Sequence, residues 1–128
     1  MELIHEKTKF MPNDIFAFKK FSIKQDKCAM KVGTDAVLLG AWIYPNGSKT
    51  ILDIGTGTGV ISLMLAQKSE AKITAIDINK ESTEQAKLNV AESIFSEKVD
   101  VKNISIQDLA KESDQKFMDF LITEYMII

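Results

Sequence analysis

The sequence predicts an α/β fold built on parallel strands, and three observations carry that prediction. From Lys49 onward, short apolar segments alternate with helical ones, the pattern of strands joined by crossover helices. The first of these strands, Thr50–Ile54, runs directly into Gly55-Thr56-Gly57-Thr58-Gly59 and then into a helix. The 128 residues are 45% hydrophobic and 27% charged, a balance that suits one globular domain with a core of its own.

Each element has a local reason. Phe16 and Phe18, then Phe21 and Ile23, stand two apart, which predicts a strand over 16–24 with a slip of one residue at Lys19-Lys20. Gly33 can turn the chain, Thr34 can cap, and Asp35 suits the positive end of a helix reaching about Trp42. Tyr44-Pro45-Asn46-Gly47-Ser48 closes that helix in a turn. Strands are then expected at Thr50–Ile54, Lys72–Asp77, 99–104 and 117–123, with helices at 58–68, 80–93 and 107–112. The helix over 58–68 is apolar nearly all round, as expected when one face meets the sheet and the other meets the N-terminal helix. The helix over 80–93 is far more polar and is expected to form a surface layer. Residues 1–48 read as a strand and helix extension and 49–128 as the sheet domain, in one compact unit.

Composition narrows the function classes. The net charge of −2 gives no global sign of nucleic-acid binding, although the N-terminal 32 residues are basic and the remainder acidic. All sixteen cationic residues are Lys, so a phosphate contact would be made by point charges rather than bidentate forks. The apolar stretch 36–45, free of charges and polar amides, is half of what a membrane-spanning helix needs, so no span is expected. Residues 1–14 lack the apolar core of a secretory signal and the chain has one cysteine, so the expected location is cytoplasmic. Cys28 has no histidine to activate it, and His5, the single histidine, lies in an N-terminal segment with no motif around it.

The most informative segment is the loop after the first parallel strand, because Asp53 precedes three alternating glycines at Gly55, Gly57 and Gly59. Gly55 permits a tight turn, Gly57 lets backbone approach a ligand, and Gly59 allows the helix start to pack closely on the strand. A dinucleotide fingerprint would need glycine where Val60 stands, and a triphosphate loop would need Gly-Lys-Ser/Thr, which is also missing. Asp53 and the three glycines instead resemble the first motif of class I S-adenosylmethionine methyltransferases. That resemblance implies that Asp53 faces the cofactor's amino group. It also implies that Asp77, which ends the next strand 18 residues after Gly59, accepts the two ribose hydroxyls.

The N-terminal half sharpens the likeness. Phe18-Lys19-Lys20-Phe21-Ser22-Ile23, the run from Gln25 through Lys31-Val32-Gly33-Thr34-Asp35 to Trp42, and Leu52 to Gln67 resemble the bacterial tRNA (adenine-N6)-methyltransferases that modify valine tRNA beside the anticodon. The likeness continues through Asp77, Gln85-Ala86 and Asn89 to Asp119. It implies a Rossmann-like methyltransferase fold, here its first four parallel strands in the order 3-2-1-4. The cofactor implied is S-adenosylmethionine, with S-adenosylhomocysteine as product and no metal, and the partner implied is tRNA. Lys31 and Thr34 would lie near the methionine end; Thr56 belongs to the loop; Ile78, Ser105 and Ile106 would flank the adenine, with Asp108 available if the loop shifts.

Members of that family end the fourth strand with Asn-Pro-Pro and an aromatic residue, which orient and stack the target base. Here Asp119-Phe120-Leu121-Ile122-Thr123 is followed by Glu124-Tyr125-Met126-Ile127-Ile128, and the only prolines are Pro12 and Pro45. The expectation is therefore of cofactor binding without an assigned catalytic residue in this chain. The fourth-strand edge and its apolar tail are also expected to favour self-association.

Overall fold

A computed structural model of the chain describes residues 15–26, 34–45, 47–112 and 120–123. Its centre is a pair of parallel strands, β3 (Thr50–Ile54) and β4 (Lys72–Asp77), in a register that sets Asp53 beside Ala75 and Ile54 beside Ile76. Between them runs α2 (Val60–Lys68), in which every residue from Val60 to Ala66 is buried. Over those residues the helix is covered on both sides: the sheet lies against one face and α1 (Thr34–Trp42) against the other.

The approach of α1 to α2 is close because Gly40 has no side chain. A Cβ there would stand 2.5 Å from the Met64 sulfur and 3.3 Å from Met64 Cβ. Lys68 then closes the C-terminal end of α1, its ammonium donating to the carbonyls of Gly40 at 2.6 Å and Ala41 at 3.1 Å, above the Tyr44 ring.

β5 (Val99–Asn103) pairs with β4 and β6 (Phe120–Thr123) with β3, both parallel, giving the order β5-β4-β3-β6. In terms of the parallel strands alone this is 3-2-1-4, the order expected from the sequence. α3 (Lys80–Ala91) links β4 to β5, and α4 (Ile106–Glu112) follows β5. The expected element bounds at β3 and β4 coincide with the observed ones, while the helix placed at 58–68 begins at Val60 because Thr58 and Gly59 belong to the loop.

Two expectations are corrected. Residues 16–24 are not one slipped strand but an antiparallel hairpin, β1 (Ile15–Ala17) with β2 (Ser22–Lys24), in which Phe16 pairs with Ile23. The Lys19-Lys20 irregularity is its turn, closed by Phe18 N–H donating to the Phe21 carbonyl at 2.8 Å. The turn lets Phe18 and Phe21 stack at 4.6 Å and lets Phe21 meet the edge of Phe95, so the hairpin contributes to the main core.

α3 is likewise more than a surface layer. Ser82, Thr83, Gln85, Ala86, Asn89 and Val90 are buried along one face. Two of these buried polar side chains have hydrogen bonds in place of water: Thr83 Oγ1 donates to the Asn79 carbonyl at 2.8 Å, and Asn89 makes three bonds to backbone groups. No helix among the described residues is long and apolar enough to cross a membrane.

Candidate functional site

β3 and β4 both deliver a carboxylate at their C-terminal ends, and the glycine loop lies between them. Gly55 and Thr56 both donate their N–H groups to the Ile76 carbonyl at 2.9 Å, which folds the loop back over the end of β4. Gly55, Gly57 and Gly59 have φ values of 77°, 56° and 85°. This left-handed backbone is strained for any residue with a Cβ, so the alternating glycines are required by the path of the loop. Gly59 is also the N-cap of α2, and its open side faces Ala86 of α3, 3.5 Å from where a Cβ would be. The close packing expected for Gly59 is therefore against α3, not against the strand.

Asp53 is completely buried. Its Oδ2 accepts from Thr56 Oγ1 at 2.9 Å and from Ser62 Oγ at 2.7 Å, while its Oδ1 has no hydrogen-bond partner among the described residues. Burial pushes its pKa above the usual carboxylate value; the two hydroxyls oppose that rise, and the negative charge of Asp77 adds to it. Sequence reasoning missed Ser62, although a lone hydroxyl in the apolar run of α2 was the signal that could have found it.

Asp77 is only partly buried and is held by backbone alone: Oδ2 accepts from Gly57 N–H and Oδ1 from Asn79 N–H, each at 2.9 Å. Each oxygen keeps a lone pair for a further donor. Asn79, not Asp77, caps α3, its Oδ1 accepting from Ser82 N–H at 2.8 Å. Asn103 at the end of β5 donates its Nδ2 to the Asp77 carbonyl at 2.9 Å, fixing the third strand end against the second.

The remaining expected site residues fall in different places. Ile78 follows Asp77 directly and is 70% exposed, an apolar surface beside the carboxylate. Ser105 caps α4, its Oγ accepting from Asp108 N–H at 3.1 Å. Ile106 is half-buried against the small cluster of Leu52, Ile76 and Leu109. Lys31 lies outside the described residues, and Thr34 is described only as the first residue of α1. The described residues contain no cluster of three or more His, Cys, Asp or Glu that could hold a metal ion.

Comparison with known proteins places this arrangement within a family. A family model described as a methyltransferase domain matches residues 45–127. The chain belongs to the methyltransferase domain family. Among curated relatives, a tRNA1(Val) (adenine(37)-N6)-methyltransferase of Phocaeicola vulgatus is 47% identical over 113 residues, covering 88% of this chain and 47% of the relative. One of Trichodesmium erythraeum with the same name is 48% identical over 121 residues, covering 92% of this chain and 47% of the relative. This methyltransferase-family chain thus spans about half the length of the curated relatives it matches.

Solved structures give the same fold. An S-adenosylmethionine-dependent methyltransferase from Agrobacterium tumefaciens superposes with a TM-score of 0.67 at 16% identity, covering 85% of this chain and 38% of that one. An O-methyltransferase from Bacillus cereus, solved with S-adenosylhomocysteine, superposes with a TM-score of 0.58 at 19% identity, covering 77% and 48%. At these identities the likeness is one of fold: the Rossmann-like α/β architecture expected from the sequence is the one observed.

Proposed function

We propose that this methyltransferase-family chain binds S-adenosylmethionine at the C-terminal ends of β3 and β4, as the cofactor-binding part of a tRNA adenine-N6 methyltransferase. The observation that carries the proposal is the pair of carboxylates on either side of the Gly55–Gly59 loop, one buried with an unpartnered oxygen and one partly open. That pair of acceptors fits a ligand with a cationic end and a pair of hydroxyls. Asp53 Oδ1 would accept from the ammonium, directly or through water, and Asp77 would accept from the ribose. Ile78 would offer an apolar surface to the adenine, with Ser105 and Ile106 beyond it. Lys31 and Thr34 are assigned to the methionine end by resemblance. When bound, the cofactor supplies an electrophilic methyl group on a sulfonium.

The chain's own residues then perform two tasks. Asp77, beside a loop whose Gly55, Thr56 and Gly57 N–H groups tie it to β4, holds the ligand in one orientation, and the buried Asp53 compensates its positive end in a low-dielectric setting where that interaction is strong. The substrate class, valine tRNA, rests on the names of the relatives. A second reading is cofactor and RNA binding by this chain without methyl transfer. It is favoured by Glu124-Tyr125, which follow Thr123 where the family carries Asn-Pro-Pro.

Incubation with tritiated S-adenosylmethionine and unmodified valine tRNA separates these readings. Label in N6-methyladenine of the tRNA supports the first. Label retained by the protein but not transferred supports the second. A folded chain that retains none contradicts both.

A further inference from the structure

α3 touches the glycine loop and the N-terminal hairpin with neighbouring residues of one face. Ala86 lies against Gly59, and one turn on, Asn89 donates its Nδ2 to the Thr58 carbonyl at 2.9 Å. The same Nδ2 donates to the Lys24 carbonyl at 2.8 Å, and Asn89 Oδ1 accepts from Lys24 N–H at 2.7 Å. Asn89 is 1% exposed, so water can replace none of these bonds. Asparagine is a poor choice for a helix interior on propensity alone, which leaves the three bonds as the reason it stands there. Lys24 ends β2, and the chain leaving it leads into the segment containing Lys31. An exposed ion pair of Lys24 with Glu92 at 3.0 Å adds little to this tie.

We propose that Asn89 is a positioning residue that couples the N-terminal hairpin to the cofactor loop, so that docking of the hairpin and binding of cofactor strengthen each other. The inference rests on the cofactor reading above and deepens it. Asn89 touches no ligand; it acts by holding the Thr58 carbonyl, next to Gly59, and the Lys24 backbone on one rigid amide. A ligand that orders the loop must then favour the docked hairpin, and the docked hairpin must favour the ligand by the same factor.

Amide hydrogen exchange with and without saturating S-adenosylhomocysteine, alongside binding titrations of the wild-type chain and Asn89→Ala, tests this. The expected result is slower exchange over residues 22–26 when the wild type is bound. In Asn89→Ala that protection should disappear and affinity should fall between about 5- and 150-fold, the usual range for coupled sites. A merely structural Asn89 would lower stability yet leave ligand-induced protection at 22–26 in place, and that result would overturn the proposal. If Asn89→Ala does not fold, the wild type alone decides: binding without any change at 22–26 overturns the coupling but leaves the cofactor reading standing. No binding at all overturns the cofactor reading, and the coupling with it.

Discussion

Asp77 Oδ2 accepts the backbone N–H of Gly57 at 2.9 Å, joining the end of β4 to the middle of the glycine loop across twenty residues of sequence. The carboxylate proposed to hold the ligand therefore also shapes the loop that lies beside it. Loop geometry and ligand recognition share one side chain, so substitutions in the loop are expected to act on both.

Gly59→Ala tests the loop against a neutral reference. Gly59 and Gly47 both have left-handed backbone, at φ 85° and 77°, and neither faces a hard clash. Alanine at either position should cost about 1–2 kcal/mol of backbone strain, read from urea unfolding. Only Gly59→Ala should weaken cofactor binding, because Gly47 lies in the turn before β3.

Gly40→Ala should destabilise the chain by about 1–3 kcal/mol, since the new methyl must displace Met64. Shortening Met64 to alanine in the same chain should recover part of that loss, and a double-mutant cycle on unfolding free energies measures the coupling.

Asp53→Asn should separate stability from binding. An acid whose folded-state pKa is raised stabilises the fold through its neutral form. That contribution is full below its reference value of 3.8 and is lost as pH rises through the higher folded value. The amide cannot ionise, so the variant should gain stability relative to the wild type as pH rises from about 4 toward 7. Paired thermal melts across that window show the gap widening with pH, while cofactor affinity at neutral pH falls about tenfold or more through loss of the charge, a difference worth about 1.4 kcal/mol.

Lys98→Met should loosen the end of α2. Lys98 Nζ donates to the carbonyls of Ala66 at 3.1 Å and Ser69 at 2.9 Å, where the helix leaves groups unpaired. Loss of that cap should cost about 1 kcal/mol in denaturant unfolding and leave ligand affinity unchanged.

The sheet and both acids were legible in the sequence because each strand is a short apolar run ending in a marked residue: Ile54 before Gly55, and Ile76 before Asp77. The hairpin was not. Its turn residues are Lys19-Lys20, and without Gly, Asn or Pro a turn looks like an irregular strand. α3 looked solvent-facing because period and polarity cannot distinguish an exposed Asn from one whose amide finds three backbone partners. Asn89 and Ser62 acquire their roles from Lys24, Thr58 and Asp53, which only the fold brings to them.

Isothermal titration of the folded chain with S-adenosylhomocysteine, alongside Asp77→Ala, tests the central claim most directly. Saturable one-to-one binding that the substitution weakens by at least about tenfold is the predicted result. Binding indifferent to Asp77, or none up to about 1 mM ligand, where even a weak site of about 4 kcal/mol would be half filled, would contradict it.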